Sequence, residues 1–188
     1  FLTFHKRNAI LQGMRIAASF FGKGQFQSEK IENIEGKWVL KNSLEGPYYQ
    51  PIHKKYIDKN GDWEKMPKDK RPQSEIQKLE STVKISEKEE GVEIEIEITG
   101  TEHVPISIEL ILRGGGSFSG VDKYVKRENA YLFSGRNCSY TVAHDQLNIG
   151  NGIISHKQLQ LRGALPAMDA PTIYLAGFSP FHHTITIS

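Results

Sequence analysis

The 188-residue chain contains a single cysteine, Cys138, so it can form no internal disulfide and no cysteine-rich metal site. Its 24 Lys and Arg residues nearly balance its 22 Asp and Glu residues, whereas a nucleic-acid-binding domain normally carries a strong basic excess. No apolar run approaches the ~18 residues that a membrane-spanning helix needs. We therefore expect neither a nucleic-acid partner nor a membrane partner.

The sequence also lacks the motifs of common catalytic sites. It has no G-x-S-x-G elbow, no P-loop, no GxGxxG and no HExxH. The three consecutive glycines at 114–116 have no strand–helix context, so they predict a tight corner rather than a phosphate loop. Cys138 is more simply a small buried thiol than a nucleophile. These absences predict no cofactor.

What the chain does have is a strong period of two. Residues 92–98 alternate apolar and acidic side chains without a break, which is typical of a strand with one solvated face. Val83 and Ile85 alternate in the same way, and the turn at 89–91 joins the two runs into a predicted hairpin. Lys84 and Lys88 would then face glutamates on the other strand.

Short segments of the same character recur along the chain, at 30–34, 37–40, 106–113, 117–121, 131–133, 139–142, 158–161, 172–175 and 184–188. Residues 8–21 fit either a helix or a strand, and their alternation favours a strand. Many short strands separated by turn residues predict an all-β fold, namely an antiparallel two-sheet sandwich (supersandwich or jelly-roll-like) with at most one short helix.

We interpret residues 1–188 as one β-sandwich domain. Because residues 1–4 and 184–188 both have strand character and the chain starts at Phe1 rather than Met, we expect it to be excised from a longer chain.

Residues 51–72 form the one long stretch without strand periodicity. Between 53 and 71 they carry seven basic and four acidic residues, and a loop of this size is usually functional or disordered. Asp58, Asn60 and Asp62 match the start of a calcium loop, but Trp63 occupies the position that needs glycine. A turn at Asn60–Gly61 is the simpler interpretation, so we expect no metal and keep these three residues as weak candidate ligands.

Aromatic side chains suggest a binding surface. The apolar faces of sugar rings stack on aromatic planes, while their hydroxyls bond to polar groups. Tyr48, Tyr49 and Trp63 lie in or next to the long loop, so we predict them as carbohydrate-binding residues. The alternative for aromatic residues in general is a place in the sandwich core.

A further pair of candidates lies near the carboxyl end. His156 and Arg162 are six residues apart on a predicted strand, so their side chains would share one face about 20 Å apart and line a long groove. A lyase would need a base and a cation to neutralise a carboxylate, and His156, Arg162 and Tyr140 are weak candidates for these roles.

Two passages resemble a known family: residues 100–109 followed by 114–116, and residues 162–166 followed by 173–181. They resemble the C-terminal β-sandwich domain of bacterial heparinase II/III-type polysaccharide lyases and related glycan-processing proteins. The resemblance implies a sandwich that packs beside a preceding catalytic domain and contributes residues such as His156 and Arg162 to a sugar cleft.

We therefore expect an accessory or substrate-cleft domain of a carbohydrate-processing protein, non-catalytic alone, with a polysaccharide or oligosaccharide as partner. The expected location is periplasmic, cell-surface or secreted. A structural or protein-interaction module and a carbohydrate-active enzyme such as a polysaccharide lyase remain alternatives.

Overall fold

The computed structural model describes residues 4–5, 9–22 and 24–188, with side chains from Ala9 onward. This part of the chain contains fourteen β-strands and no α-helix. The strands are β1 (Phe4–His5), β2 (Ala9–Ala18), β3 (Ile31–Ile34), β4 (Lys37–Tyr49), β5 (Gln73–Lys88), β6 (Gly91–Gly100), β7 (Pro105–Leu112), β8 (Ser117–Ser119), β9 (Asp122–Lys123), β10 (Ala130–Leu132), β11 (Asn137–Val142), β12 (Asp145–Gly150), β13 (Thr172–Phe178) and β14 (Phe181–Ile187).

Three single-turn 3-10 helices, Lys54–Tyr56, Trp63–Lys65 and Lys68–Lys70, lie between β4 and β5. They are the only helical segments of the described chain, and none has the length and apolar character that crossing a bilayer requires.

The strands form two sheets. The smaller sheet has the order β1-β2-β7-β13-β10-β9, and the larger sheet has the order β3-β4-β5-β6-β14-β12-β11-β8. Pairing is antiparallel throughout the described strands except between β10 and β13. The predicted all-β sandwich is confirmed.

The predicted hairpin is confirmed as β5 and β6. Lys84 Nζ lies 3.1 Å from Glu95, its cross-strand partner, and Lys88 Nζ lies 3.3 Å from Glu93. Ile94, Ile96 and Ile98 of β6 point the other way and are fully buried in the core between the sheets, together with Ile106, Ile108 and Leu110 of β7 and Ile173 and Leu175 of β13.

Of the ambiguous 8–21 segment the structure describes residues 9–21, and Ala9–Ala18 form strand β2, so the preference for a strand is confirmed. The predicted opening strand at 1–4 falls mostly on residues outside the described ranges. The glycines at 114–116 form the corner where the chain passes from β7 in the smaller sheet to β8 in the larger sheet. A Cβ on Gly116 would overlap the Tyr140 ring, so this corner requires glycine.

The strand predicted at 158–161 is wrong. Residues 151–171, here called the covering segment, run without strand structure apart from one bridge between Ile154 and Ala176. Leu159 and Leu161 are buried because the segment packs on the outer face of the smaller sheet, where Leu159 contacts a cluster around Tyr174 and Leu132. Leu159 and Leu161 therefore alternate with exposed residues because they pack against the face of a sheet, although they are not part of a strand.

The ends of β4 and β5 extend beyond the sandwich. β5 pairs with β6 only from Leu79 onward, so residues 73–78 pair with β4 alone. The connection 50–72 lies at the tip of this two-stranded ribbon and is closed by a hydrogen bond from the Gln50 amide to the Pro72 carbonyl. We call residues 45–78 the arm.

Candidate functional site

In the arm, two of the predicted sugar-binding residues, Tyr49 and Trp63, pack against the guanidinium of Arg71. The Arg71 guanidinium lies 5.2 Å from the centre of the Tyr49 ring and 5.6 Å from the centre of the Trp63 ring. Its Nε and one terminal nitrogen donate to the backbone carbonyls of Gln50 and Tyr49, at 3.0 and 2.8 Å. These bonds hold the guanidinium in a fixed orientation, and the two rings gain cation–π attraction.

The Tyr49 and Trp63 rings remain accessible. Tyr49 keeps 38% of its surface exposed and Trp63 keeps 43%. Each ring therefore has surface left for a ligand after its contact with Arg71. We call Tyr49, Trp63 and Arg71 the arm cluster.

Tyr48 is the most exposed of the three predicted rings, with 53% of its surface accessible. It precedes Tyr49 on β4, where the register with β5 shifts. The three rings therefore share the arm, and Tyr49 and Trp63 are the two that contact Arg71.

The charges of the arm connection are unevenly paired. Three of its carboxylates pair with neighbouring lysines: Asp62 with Lys65, Glu64 with Lys68, and Asp69 with Lys70. Among the described residues no carboxylate pairs with Lys54, Lys55 or Lys59. The arm therefore presents a net positive surface around its aromatic rings.

The three weak metal candidates hold a turn. The Asp58 carboxylate accepts hydrogen bonds from the amides of Asn60 and Asp62, at 2.8 and 3.3 Å. The Asp62 carboxylate accepts from the Glu64 amide and also pairs with Lys65. Within the described ranges, no group of three His, Cys, Asp or Glu side chains could hold a metal ion.

His156 anchors the covering segment to the smaller sheet. Its Nε2 lies 3.0 Å from the Ile106 carbonyl and 2.9 Å from the Gly177 carbonyl, so this nitrogen carries a proton and donates to both. Its Nδ1 accepts from the Gln158 amide at 3.2 Å. Both ring nitrogens are thus engaged with backbone, which is the arrangement of a structural histidine.

Arg162 does not share a strand face with His156, because the covering segment between them is not a strand. The Arg162 side chain is exposed, and its backbone lies beside the Gly24 turn. The groove expected from even spacing on one strand is therefore a wrong prediction.

Tyr140 lies in the core, where its ring is fully buried. Its hydroxyl donates to the Arg113 carbonyl at 2.5 Å and accepts from the Gly116 amide at 3.0 Å. Burial raises the pKa of Tyr140, which opposes the loss of a proton that a catalytic base requires. The hydroxyl closes the corner between the two sheets.

A polar depression that the sequence analysis missed lies at one end of the larger sheet. It has a volume of about 530 Å³ and includes Arg136, His182 and His183 in its walls. His182 Nε2 lies 3.4 Å from a Glu95 oxygen, while His183 Nε2 lies 2.6 Å from the Asn151 carbonyl. The hydrogen bond from Lys84, followed by that from His182, keeps the pKa of Glu95 below its usual value.

An apolar cleft of about 610 Å³ opens between the sheets where β3 and β4 extend past β2. Met14 and Ile16 line one wall, and Trp38, Leu40 and Ile85 line the other. Trp38 is 42% exposed and is the one tryptophan of the chain besides Trp63.

Comparison with known proteins gives no relative: no family model, no curated protein and no solved structure matches the chain.

Proposed function

We propose that this chain is a non-catalytic accessory β-sandwich of a carbohydrate-processing protein and that the arm binds its polysaccharide or oligosaccharide. The observation that carries the proposal is the arm cluster, in which Tyr49 and Trp63 flank Arg71 while both rings stay partly exposed. A sugar ring can stack its C–H face on such a plane, and the remaining donors of the guanidinium can bond to its hydroxyls.

The position of the arm supports this role. It projects from the sandwich on strands that no third strand covers, so a long polymer can reach it without meeting the core. By the resemblance to the sandwich of heparinase II/III-type lyases, the partner domain would be a catalytic domain that precedes this one. The corresponding location is the periplasm, the cell surface or the medium.

The test uses the two tryptophans as a matched pair. In affinity electrophoresis through gels that contain neutral or acidic polysaccharides, Trp63→Ala should weaken retention by about tenfold. Trp38→Ala should retain normal binding, since Trp38 lies eleven residues before Tyr49 of the arm cluster, about 36 Å along β4. No retention of the unaltered protein on any polysaccharide, or equal losses in both variants, would refute the proposal.

A protein-interaction module is the second candidate. The apolar cleft favours it, because exposed apolar grooves on soluble domains often receive other polypeptides. In that case no polysaccharide gel would retain the unaltered protein, and a protein partner recovered by pull-down would be lost with Trp38→Ala.

The enzymatic alternative has less support. Tyr140, His156 and Arg162 each contact a different part of the fold, and two of them use their polar atoms to hold backbone. Formation of an unsaturated product from uronic-acid polymers, followed by ultraviolet absorbance, would nevertheless establish a lyase.

A further inference from the structure

The outer face of the larger sheet changes in character halfway across. On β6 the outward positions are Glu93, Glu95 and Glu97, and β5 adds Lys84 opposite Glu95. On β8, β11 and β12 every outward side chain is a hydroxyl or an amide: Ser117, Ser119, Asn137, Ser139, Thr141, Gln146 and Asn148. Thr186 of β14 extends this set. We call these eight residues the hydroxyl–amide face.

The register arranges this face in rows across the strands. Ser119, Ser139 and Asn148 form one row, and Ser117, Thr141 and Gln146 form the next. Neighbouring strands lie about 4.8 Å apart, and successive positions on one face lie about 6.8 Å apart. The polar groups therefore form a regular two-dimensional grid.

Six of the eight residues, all except Ser117 and Thr141, line a shallow depression of about 440 Å³. Two glycines leave room for it. A Cβ on Gly120 would come within 2.6 Å of the Asn137 carbonyl, and a Cβ on Gly150 would collide with the Thr186 hydroxyl. Larger residues at these two positions would disturb the neighbours that form the depression, so its shape is built into the fold.

The polar groups of this face are largely unused within the protein. Gln146 donates to the Asn148 carbonyl oxygen at 2.7 Å. Among the described residues, the side chains of Ser119, Asn137, Ser139 and Thr186 make no hydrogen bond. Hydroxyls can both donate and accept, so the face suits a ligand that also does both.

The composition of the face selects one class of ligand. A surface is ordinarily about 25–35% charged, and this face carries no charged side chain. A nucleic acid would need cations, and the centre of a protein interface would need aromatic or apolar anchors. An uncharged, hydroxyl-rich chain needs neither, because its own groups pair with hydroxyls and amides.

We propose that the hydroxyl–amide face is a second carbohydrate site, which binds a neutral polysaccharide chain through hydrogen bonds alone. The inference rests on the proposed function only in that the ligand is a glycan, and it is independent of the arm. Since no aromatic ring lies on the face, each sugar unit is bound weakly and affinity grows with chain length.

The test is a titration of the ¹⁵N-labelled protein with neutral hexasaccharides, namely cellohexaose, mannohexaose and maltohexaose, followed by two-dimensional NMR. We expect saturable shifts, with a dissociation constant on the order of 1 mM, at the side-chain amides of Asn137 and Asn148. Ser139→Lys should weaken binding about tenfold, since a charge would be desolvated under the ligand.

Thr82→Lys is the matched control, because Thr82 faces outward on β5 in the charged half of the same sheet. Its shifts at Asn137 and Asn148 should match those of the unaltered protein. If Ser139→Lys does not fold, Asn148→Ala gives the same comparison with a smaller loss. Shifts that map to the arm alone, an unaffected Ser139→Lys, or no saturable shift at Asn137 and Asn148 with any of the three sugars would overturn the inference.

The two proposals can fail separately. If the arm does not bind sugar, Trp63→Ala will not change polysaccharide retention, while the shifts at Asn137 and Asn148 will still appear.

Discussion

Arg15 and Glu109 face each other across β2 and β7 and form an ion pair on the side of the smaller sheet that the covering segment shields. The Arg15 Nε donates to Glu109 Oε2 at 2.6 Å, and a terminal nitrogen of the same guanidinium donates to the Pro166 carbonyl at 2.9 Å. Both side chains are almost inaccessible. The pair therefore links a strand–strand contact to the placement of the covering segment.

Glu109→Gln should destabilise the protein by about 3 kcal/mol, because it leaves a buried guanidinium without its counter-charge. The measurement is urea unfolding at neutral pH. In the double variant Arg15→Met, Glu109→Leu no charge is left unpaired, so its loss should be smaller than that of Glu109→Gln. A double variant that is less stable than the single one would contradict this account.

Tyr140→Phe should cost about 1–3 kcal/mol, because it leaves the buried Arg113 carbonyl and Gly116 amide without their shared partner. Tyr131→Phe is the control, since the Tyr131 ring also packs on Phe118 but no hydrogen bond of its hydroxyl occurs in the described structure. Thermal unfolding compares the two. Equal stability of both variants would show that the hydroxyl does not hold the corner.

Stability should fall in alkaline solution above about pH 9. Burial raises the pKa of the Cys138 thiol from 9.0 to about 12, and burial is also the main reason that the pKa of Tyr174 rises from 10.0 to about 12. The folded state therefore keeps these protons after the unfolded state has lost them, so stability is complete below pH 9 and declines as the pH rises toward 12.

Cys138→Ala isolates the thiol from the tyrosine. Each such group contributes a slope of about 1.4 kcal/mol per pH unit at most, and between pH 9 and 10 the thiol contributes more than the buried tyrosines Tyr140 and Tyr174, because its ordinary pKa is lower. The unfolding free energy of the variant should decline less steeply over that interval than that of the unaltered protein. Parallel curves would exclude the buried thiol as the cause.

His156→Ala should loosen the covering segment and leave the sandwich intact. The loss of the contacts with the Ile106 and Gly177 carbonyls should cost about 1–2 kcal/mol. Hydrogen exchange should accelerate at the amides of Ser155 and Gln158, while those of β6 keep their protection. His144→Ala, at an exposed turn, should change neither. Unchanged exchange in the His156 variant would contradict the anchoring role.

The sequence alone predicts the sandwich well, because most strands bury one face and so alternate. The run at 92–98 is such a case, and β2 is recognisable from alternation despite a competing helical pattern. The sequence does not predict strands β9 and β12: β9 has two residues, and β12 has only Leu147 and Ile149 as alternating apolar residues. At 158–161 the alternation of Leu159 and Leu161 reports burial against a sheet, which periodicity cannot distinguish from pairing.

The candidate site is less predictable because its members meet only in space. Tyr49 and Trp63 were recognisable as exposed rings, but Arg71 joins them only because the ends of the arm connection are held together. The hydroxyl–amide face could not be predicted from the sequence for another reason. Serines and threonines on β8 and β11 are far apart in the sequence, and only the strand register shows that they lie side by side in rows.

The order of strands in the larger sheet has a consequence for biosynthesis. β14 comes last of the described strands, yet it lies in the middle of that sheet between β6 and β12. While the chain emerges from the ribosome, the two halves of the sheet are present before the strand that joins them, and each exposes an unpaired edge. The glutamates of β6 keep the neighbourhood of one unpaired edge charged and so oppose aggregation at that stage.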